Sequence, residues 1–77
     1  MPRTILVIED EVSIQSVIKA FLEEAGYNTL LAGDGLEGLE QFRKHTPDLV
    51  LLDLMLPKID GFAVCEMIRK ESQVPVI

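Results

Sequence analysis

Seventy-seven residues allow one small domain and no second one. At 48% hydrophobic residues the chain is too apolar to be disordered, yet its uncharged stretches fall well short of the roughly 20 residues a membrane-spanning helix needs. Thirteen acids against seven bases leave a net charge of -6, which argues against direct nucleic-acid binding, where a basic stripe is expected, and suits a protein that recruits a cation.

Along the chain, hydrophobic spacing alternates between two periods. Met1-Pro2-Arg3-Thr4 leads straight into the run Ile5-Leu6-Val7-Ile8 without a charged-then-greasy leader, so export is not expected. That run of β-branched and leucine residues predicts a strand covered on both faces. From Ile14, apolar residues recur at Val17, Ile18, Phe21, Leu22 and Ala25, the spacing of one helical face, and Gly26 follows where a left-handed cap belongs. Thr29 to Ala32 predict a second, more polar strand at a sheet edge. Asp34 is placed to cap a helix burying Leu36, Leu39 and Phe42, and Thr46-Pro47 ends it, because the residue before proline avoids the helical region.

Asp48 to Asp53 predict a third strand and Leu54 to Gly61 a loop. Asp60 is placed to cap a third helix carrying Phe62, Cys65 and Ile68, and Val74-Pro75-Val76-Ile77 starts a fourth strand. No repeat or linker interrupts this β-α-β-α-β-α-β order, which implies right-handed crossovers and a parallel sheet. Cys65, the single cysteine, can form no internal disulfide, which fits a reducing cytoplasm, and on an apolar helical face it reads as a small core residue. His45 reads as a solvated residue near a helix C-terminus.

The chemistry gathers at strand ends. Asp53 closes the run Leu49-Val50-Leu51-Leu52, and Glu9-Asp10 closes Ile5 to Ile8. In a parallel α/β sheet the carboxyl ends of adjacent strands form the crevice where ligands bind. Three acids meeting there repel one another unless a cation sits between them. Acids also suit a helix N-terminus, a role for Glu9-Asp10-Glu11 that coexists with metal binding.

Three segments together carry a specific resemblance: Ile5 to Glu11 with its acidic pair, Asp48 to Pro57 with Asp53 and a proline four residues later, and Asp60-Gly61. The chain resembles the receiver domain of two-component response regulators over its whole length. The resemblance implies a flavodoxin-like doubly wound parallel sheet. It also implies phosphoryl transfer from a sensor histidine kinase onto Asp53, with Asp10 a direct Mg2+ ligand, Glu9 a ligand through water and the backbone carbonyl of Met55 a further oxygen. Mg2+ takes oxygen donors and keeps several waters, so two carboxylates and one carbonyl suffice.

Set against the family pattern, residues 1–77 read as the amino-terminal portion of a single receiver, truncated after the fourth strand. The chain stops at Ile77, before the strand-end Ser or Thr and the Lys that contact the phosphoryl group in relatives, and Lys58 by similarity points away from that lysine's place. Impaired switching is the expectation, and so is self-association through an exposed sheet edge or uncovered face. An inert interaction fragment is the alternative. A metal-dependent phosphatase is disfavoured because Asp53-Leu54-Met55 offers no second acid two residues on. A flavin-binding relative is weaker still, since acids stand where a phosphate cradle would follow Ile8.

Overall fold

A computed structural model of the chain describes residues 3–52 and 61–77, with Gly61 and Phe62 described in backbone only. In these run β1 (Thr4–Ile8), α1 (Val12–Glu24), β2 (Asn28–Ala32), α2 (Gly35–His45), β3 (Leu49–Leu52) and α3 (Gly61–Glu71). The three strands form one parallel sheet in the order β2-β1-β3. This is the parallel α/β sheet that the alternating periods predict, doubly wound as the resemblance implies. The most apolar strand takes the centre: Leu6 pairs with Leu30 on one side and Val50 on the other, and Ile5 through Ile8 are all buried. A strand hydrogen-bonded on both edges and covered on both faces has no place for a polar side chain.

Side chains alternate across the sheet, so each strand divides between two faces. Leu6, Ile8, Ala32 and Val50 meet Leu39 and Phe42 of α2 and Val64 and Ile68 of α3 in the buried core. Gly38 brings α2 close: a Cβ there would stand 2.5 Å from Ile8 Cδ1 and 2.9 Å from its Cγ1. Ile5, Val7, Leu49 and Leu51 point the other way, toward α1. Only Gln15, Ile18 and Leu22 of that helix are half-buried, and the remainder is exposed.

Capping residues end the helices where the sequence places them. Gly26, at φ +95°, closes α1: its N–H donates to Glu23 O at 3.1 Å and the Tyr27 N–H to Leu22 O at 3.0 Å, the paired bonds of a Schellman cap. Asp34 Oδ1 accepts the Glu37 N–H at 2.9 Å and starts α2. Thr46 ends α2 in the left-handed region, at φ 43° and ψ 66°, just before the buried Pro47. Avoidance of the helical region before proline therefore takes the left-handed rather than the extended route, at a conformational cost for a β-branched residue.

Several details differ from the expectations. Leu36 is not in the core but 54% exposed, since the sheet-facing stripe of α2 runs through Gly38, Leu39 and Phe42. On α3 Ile68 is buried as expected, but Val64 takes the other buried place and Cys65 is only half-buried. β2 begins one residue earlier than predicted, at Asn28, and β3 is described from Leu49 to Leu52. The expected fourth strand is represented by one parallel bridge, Val50↔Val76, flanked by hydrogen bonds from Val50 N–H to Pro75 O and from Leu52 N–H to Ile77 O. It extends the order to β2-β1-β3 followed by the 74–77 segment. Asp60, Phe62 as a side chain, Leu56 and Lys58 lie outside what is described.

Candidate metal and phosphoacceptor site

The carboxyl ends of the three strands finish level with one another. Ile8 pairs with Ala32 of β2 and with Leu52 of β3. The ladder runs one residue past β1, for the Glu9 N–H donates to Ala32 O at 3.0 Å. The chain then leaves the sheet through Glu9-Asp10-Glu11 and enters α1 at Val12. Glu9 is half-buried at the rim, whereas Asp10 and Glu11 are exposed. Glu9 Oε2 accepts the Glu11 N–H at 3.1 Å, a short turn that curls the acidic loop over the strand end.

Gln15, from the first turn of α1, reaches back to this loop. Its Nε2 donates to Glu9 O at 2.6 Å and to Ala32 O at 3.3 Å. No expectation from the sequence named Gln15. The available signal was its place at the head of the stripe Gln15-Ile18-Leu22, three and seven residues apart, where a helix packed on a sheet should be apolar. A polar residue there needs a polar partner, and the strand-end carbonyls are that partner.

Of the expected ligands, Glu9 and Asp10 stand consecutively at the end of β1. Asp53 and the Met55 carbonyl lie outside the described residues. Among the described residues no three His, Cys, Asp or Glu side chains come close enough together to hold a metal ion. The two carboxylates that are described are hard oxygen donors of the kind Mg2+ takes, so the donor chemistry fits that ion. Asp34, also near the strand ends, serves α2 as its cap. An open groove of about 400 Å3 runs beside Glu9 on the α1 face, between Val7, Ile18, Leu51 and Ile77.

His45 is exposed in the last turn of α2 and Cys65 lies on α3, both on elements away from the acidic loop. A bidentate ion pair joins the C-terminal turns of α2 and α3: Arg43 Nη2 lies 2.7 Å from Glu71 Oε2, and its Nε lies 3.0 and 3.2 Å from the two oxygens. These hydrogen bonds, and after them the guanidinium charge, hold the Glu71 carboxyl below its ordinary range despite some desolvation. No described helix is long and apolar enough to cross a membrane.

The family model of the response regulator receiver domain matches residues 5–77. A probable transcriptional regulator, ycf27, of Porphyridium aerugineum is 51% identical over 73 residues, covering 95% of this chain and 30% of its own length. The solved BeF3-activated receiver domain of Klebsiella pneumoniae RstA superposes with a TM-score of 0.91 at 33% identity, over 95% of this chain and 62% of that one. The chemotaxis protein CheY4 of Vibrio cholerae gives a TM-score of 0.94 at 28% identity, over 99% and 66%. The chain thus spans about a third of the length of the curated relatives it matches and about two thirds of the solved ones.

Proposed function

The chain belongs to the response regulator receiver family of two-component signalling, and from that premise we propose that it accepts a phosphoryl group from a sensor histidine kinase onto Asp53. The observation that supports this most is the level ending of β1 and β3. Ile8 pairs with Leu52, and each is followed directly in sequence by an acid. Asp10 serves as a direct Mg2+ ligand, Glu9 as a ligand through water, and the Met55 carbonyl as a further donor. Residues 1–77 act as the amino-terminal portion of one such domain.

In the transfer, a carboxylate oxygen of Asp53 forms a bond to phosphorus as the bond from phosphorus to the kinase imidazole nitrogen breaks. The electron pair returns to that nitrogen, and the product is an acyl phosphate. Mg2+, when bound, supplies positive charge that offsets the repulsion among the acids and on the transferred group. The protein's part is to keep Asp53 ionised and aligned and to hold the acidic loop in place. Catalysis by the chain extends at most to its own phosphorylation and dephosphorylation.

The -6 net charge supports a segment that does not itself bind nucleic acid, and the lone cysteine supports a cytoplasmic setting. A second reading, an inert interaction module that self-associates, draws on the exposed α1 face, where Val17 is 56% and Phe21 75% accessible. Intact-mass measurement after incubation with Mg2+ and a small-molecule acyl or amide phosphodonor separates the two. The acceptor reading expects one phosphoryl adduct, lost in Asp53→Asn. No adduct, together with no Mg2+ binding at millimolar concentration, leaves the inert reading in its place. Sedimentation at tens of micromolar tests self-association, and a well-folded monomer there excludes it.

A further inference from the structure

We propose that Gln15 is a positioning residue for Mg2+ binding, acting through the backbone of the acidic loop; this rests on the acceptor reading above. Its amide nitrogen carries two protons and meets two carbonyls, Glu9 O at 2.6 Å and Ala32 O at 3.3 Å. Ala32 O is also the acceptor of the Glu9 N–H at 3.0 Å. Both peptide groups of Glu9 are therefore held, the N–H by β2 and the C=O by α1. The Glu9 carbonyl belongs to the peptide unit that leads into Asp10. Fixing that plane fixes the direction in which Asp10 leaves the strand.

Without the clamp, rotation about the bonds flanking this peptide would swing the Asp10 carboxylate relative to Glu9 by the width of a side chain. Three consecutive acids, Glu9, Asp10 and Glu11, repel one another, and repulsion favours that splaying in the absence of a cation. A neutral amide is suited to the task. It donates to carbonyls as an ammonium or guanidinium would, but adds no positive charge to compete with a metal ion. Gln15 is anchored for it, because its own N–H donates to Glu11 O at 3.0 Å in the first turn of α1, and its side chain is half-buried over the sheet. Groups that orient ligands from behind typically change metal affinity by about 10- to 100-fold when removed.

The test compares the 77-residue wild type, Gln15→Met, which keeps length and shape without donors, and Leu22→Ala, which loosens α1 at its far end. Mg2+ dissociation constants come from chemical-shift titration of the backbone amides, and thermal midpoints are recorded without metal. The expected result is at least a tenfold weaker Mg2+ affinity in Gln15→Met. Leu22→Ala should lower the midpoint by as much or more and keep its affinity within twofold of wild type. Should Gln15→Met not fold, Gln15→Asn replaces it, with an amide one methylene too short to bridge both carbonyls. Affinity within twofold of wild type in the Gln15 variant overturns the positioning role alone. Equal losses in the Gln15 and Leu22 variants overturn it too, leaving only helix docking. A wild type that binds no Mg2+ removes the acceptor reading and this role together.

Discussion

The two faces of the sheet are built from the same kind of residues and finished to different degrees. On one face, α2 and α3 bury Leu6, Ile8, Ala32 and Val50 beneath Leu39, Phe42, Val64 and Ile68, each at most 6% exposed. On the other, α1 turns only Gln15, Ile18 and Leu22 partly away from solvent and leaves Val12, Val17 and Phe21 mostly in water. Burial of apolar area contributes about 25 cal/mol per Å2, so cohesion concentrates on the first face. The second face carries the polar clamp to the acidic loop. One side holds the chain together, and the other ties Gln15 to the acidic loop and leaves apolar side chains exposed.

The sharpest way to break this comparison is to truncate one residue on each side. Leu6→Ala should cost about 2 to 5 kcal/mol by urea unfolding, because the side chain is wholly enclosed. Phe21→Ala should stay within about 0.5 kcal/mol, as expected of an exposed position. Comparable losses would mean that α1 is cohesive after all.

Next in size is Gly38. An added methyl improves helix propensity by about 1 kcal/mol but meets buried Ile8 at three atoms, Cδ1, Cγ1 and Cγ2. Overpacking of this kind costs about 1 to 3 kcal/mol and should win. Gly38→Ala should therefore destabilise, and Ile8→Val, which removes Cδ1, should make the double variant better than the sum of the two single ones. Strict additivity in the unfolding midpoints would show that α2 simply shifts outward.

A stabilising change is expected at Thr46. Asparagine tolerates the left-handed region better than a β-branched side chain, so Thr46→Asn should gain several tenths of a kcal/mol up to about 1 kcal/mol in the same unfolding assay. An unchanged or lowered midpoint would show that the following proline, not residue 46, sets that geometry.

The smallest effect belongs to Arg43–Glu71, whose side chains are 59% and 36% exposed. Glu71 has a folded-state pKa below its unfolded one. Whatever stability the pair contributes is thus present above the unfolded value and disappears as pH falls through the folded value. Arg43, held more firmly protonated by the same hydrogen bonds, adds nothing to that acid limb. Melting curves of wild type and Glu71→Gln should differ slightly near neutrality and converge in acid or in high salt. A difference that grows on acidification would contradict the assignment.

Most of the element order could be read without coordinates because period and punctuation agree. A continuous Ile5–Ile8 run, a 3.6-residue stripe from Ile14 and Gly26 at its end each allow one local structure. Asp34 as a cap was legible for the same reason, since capping depends on residues three positions apart. Less legible was which stripe of a helix faces inward. Leu36 and Cys65 are apolar enough for the core, yet Gly38 and Val64 take buried places beside the expected Leu39, Phe42 and Ile68. At the site, Glu9 and Asp10 were visible as acids closing a strand. Gln15 was not, because its meaning depends on carbonyls from two strands that are far apart in the chain.

Local chemistry alone therefore determined the alternation of strands and helices, their caps and the strand-end position of the acids, because each depends on neighbours within a few residues. Tertiary structure decided that β1 lies between β2 and β3, that α2 and α3 bury their apolar sides while α1 leaves much of its own exposed, and that Gln15 bridges Glu9 and Ala32. The strand pairings and the Gln15–Ala32 bond join residues 17 to 44 apart, and only packing the whole sheet selects among such pairings.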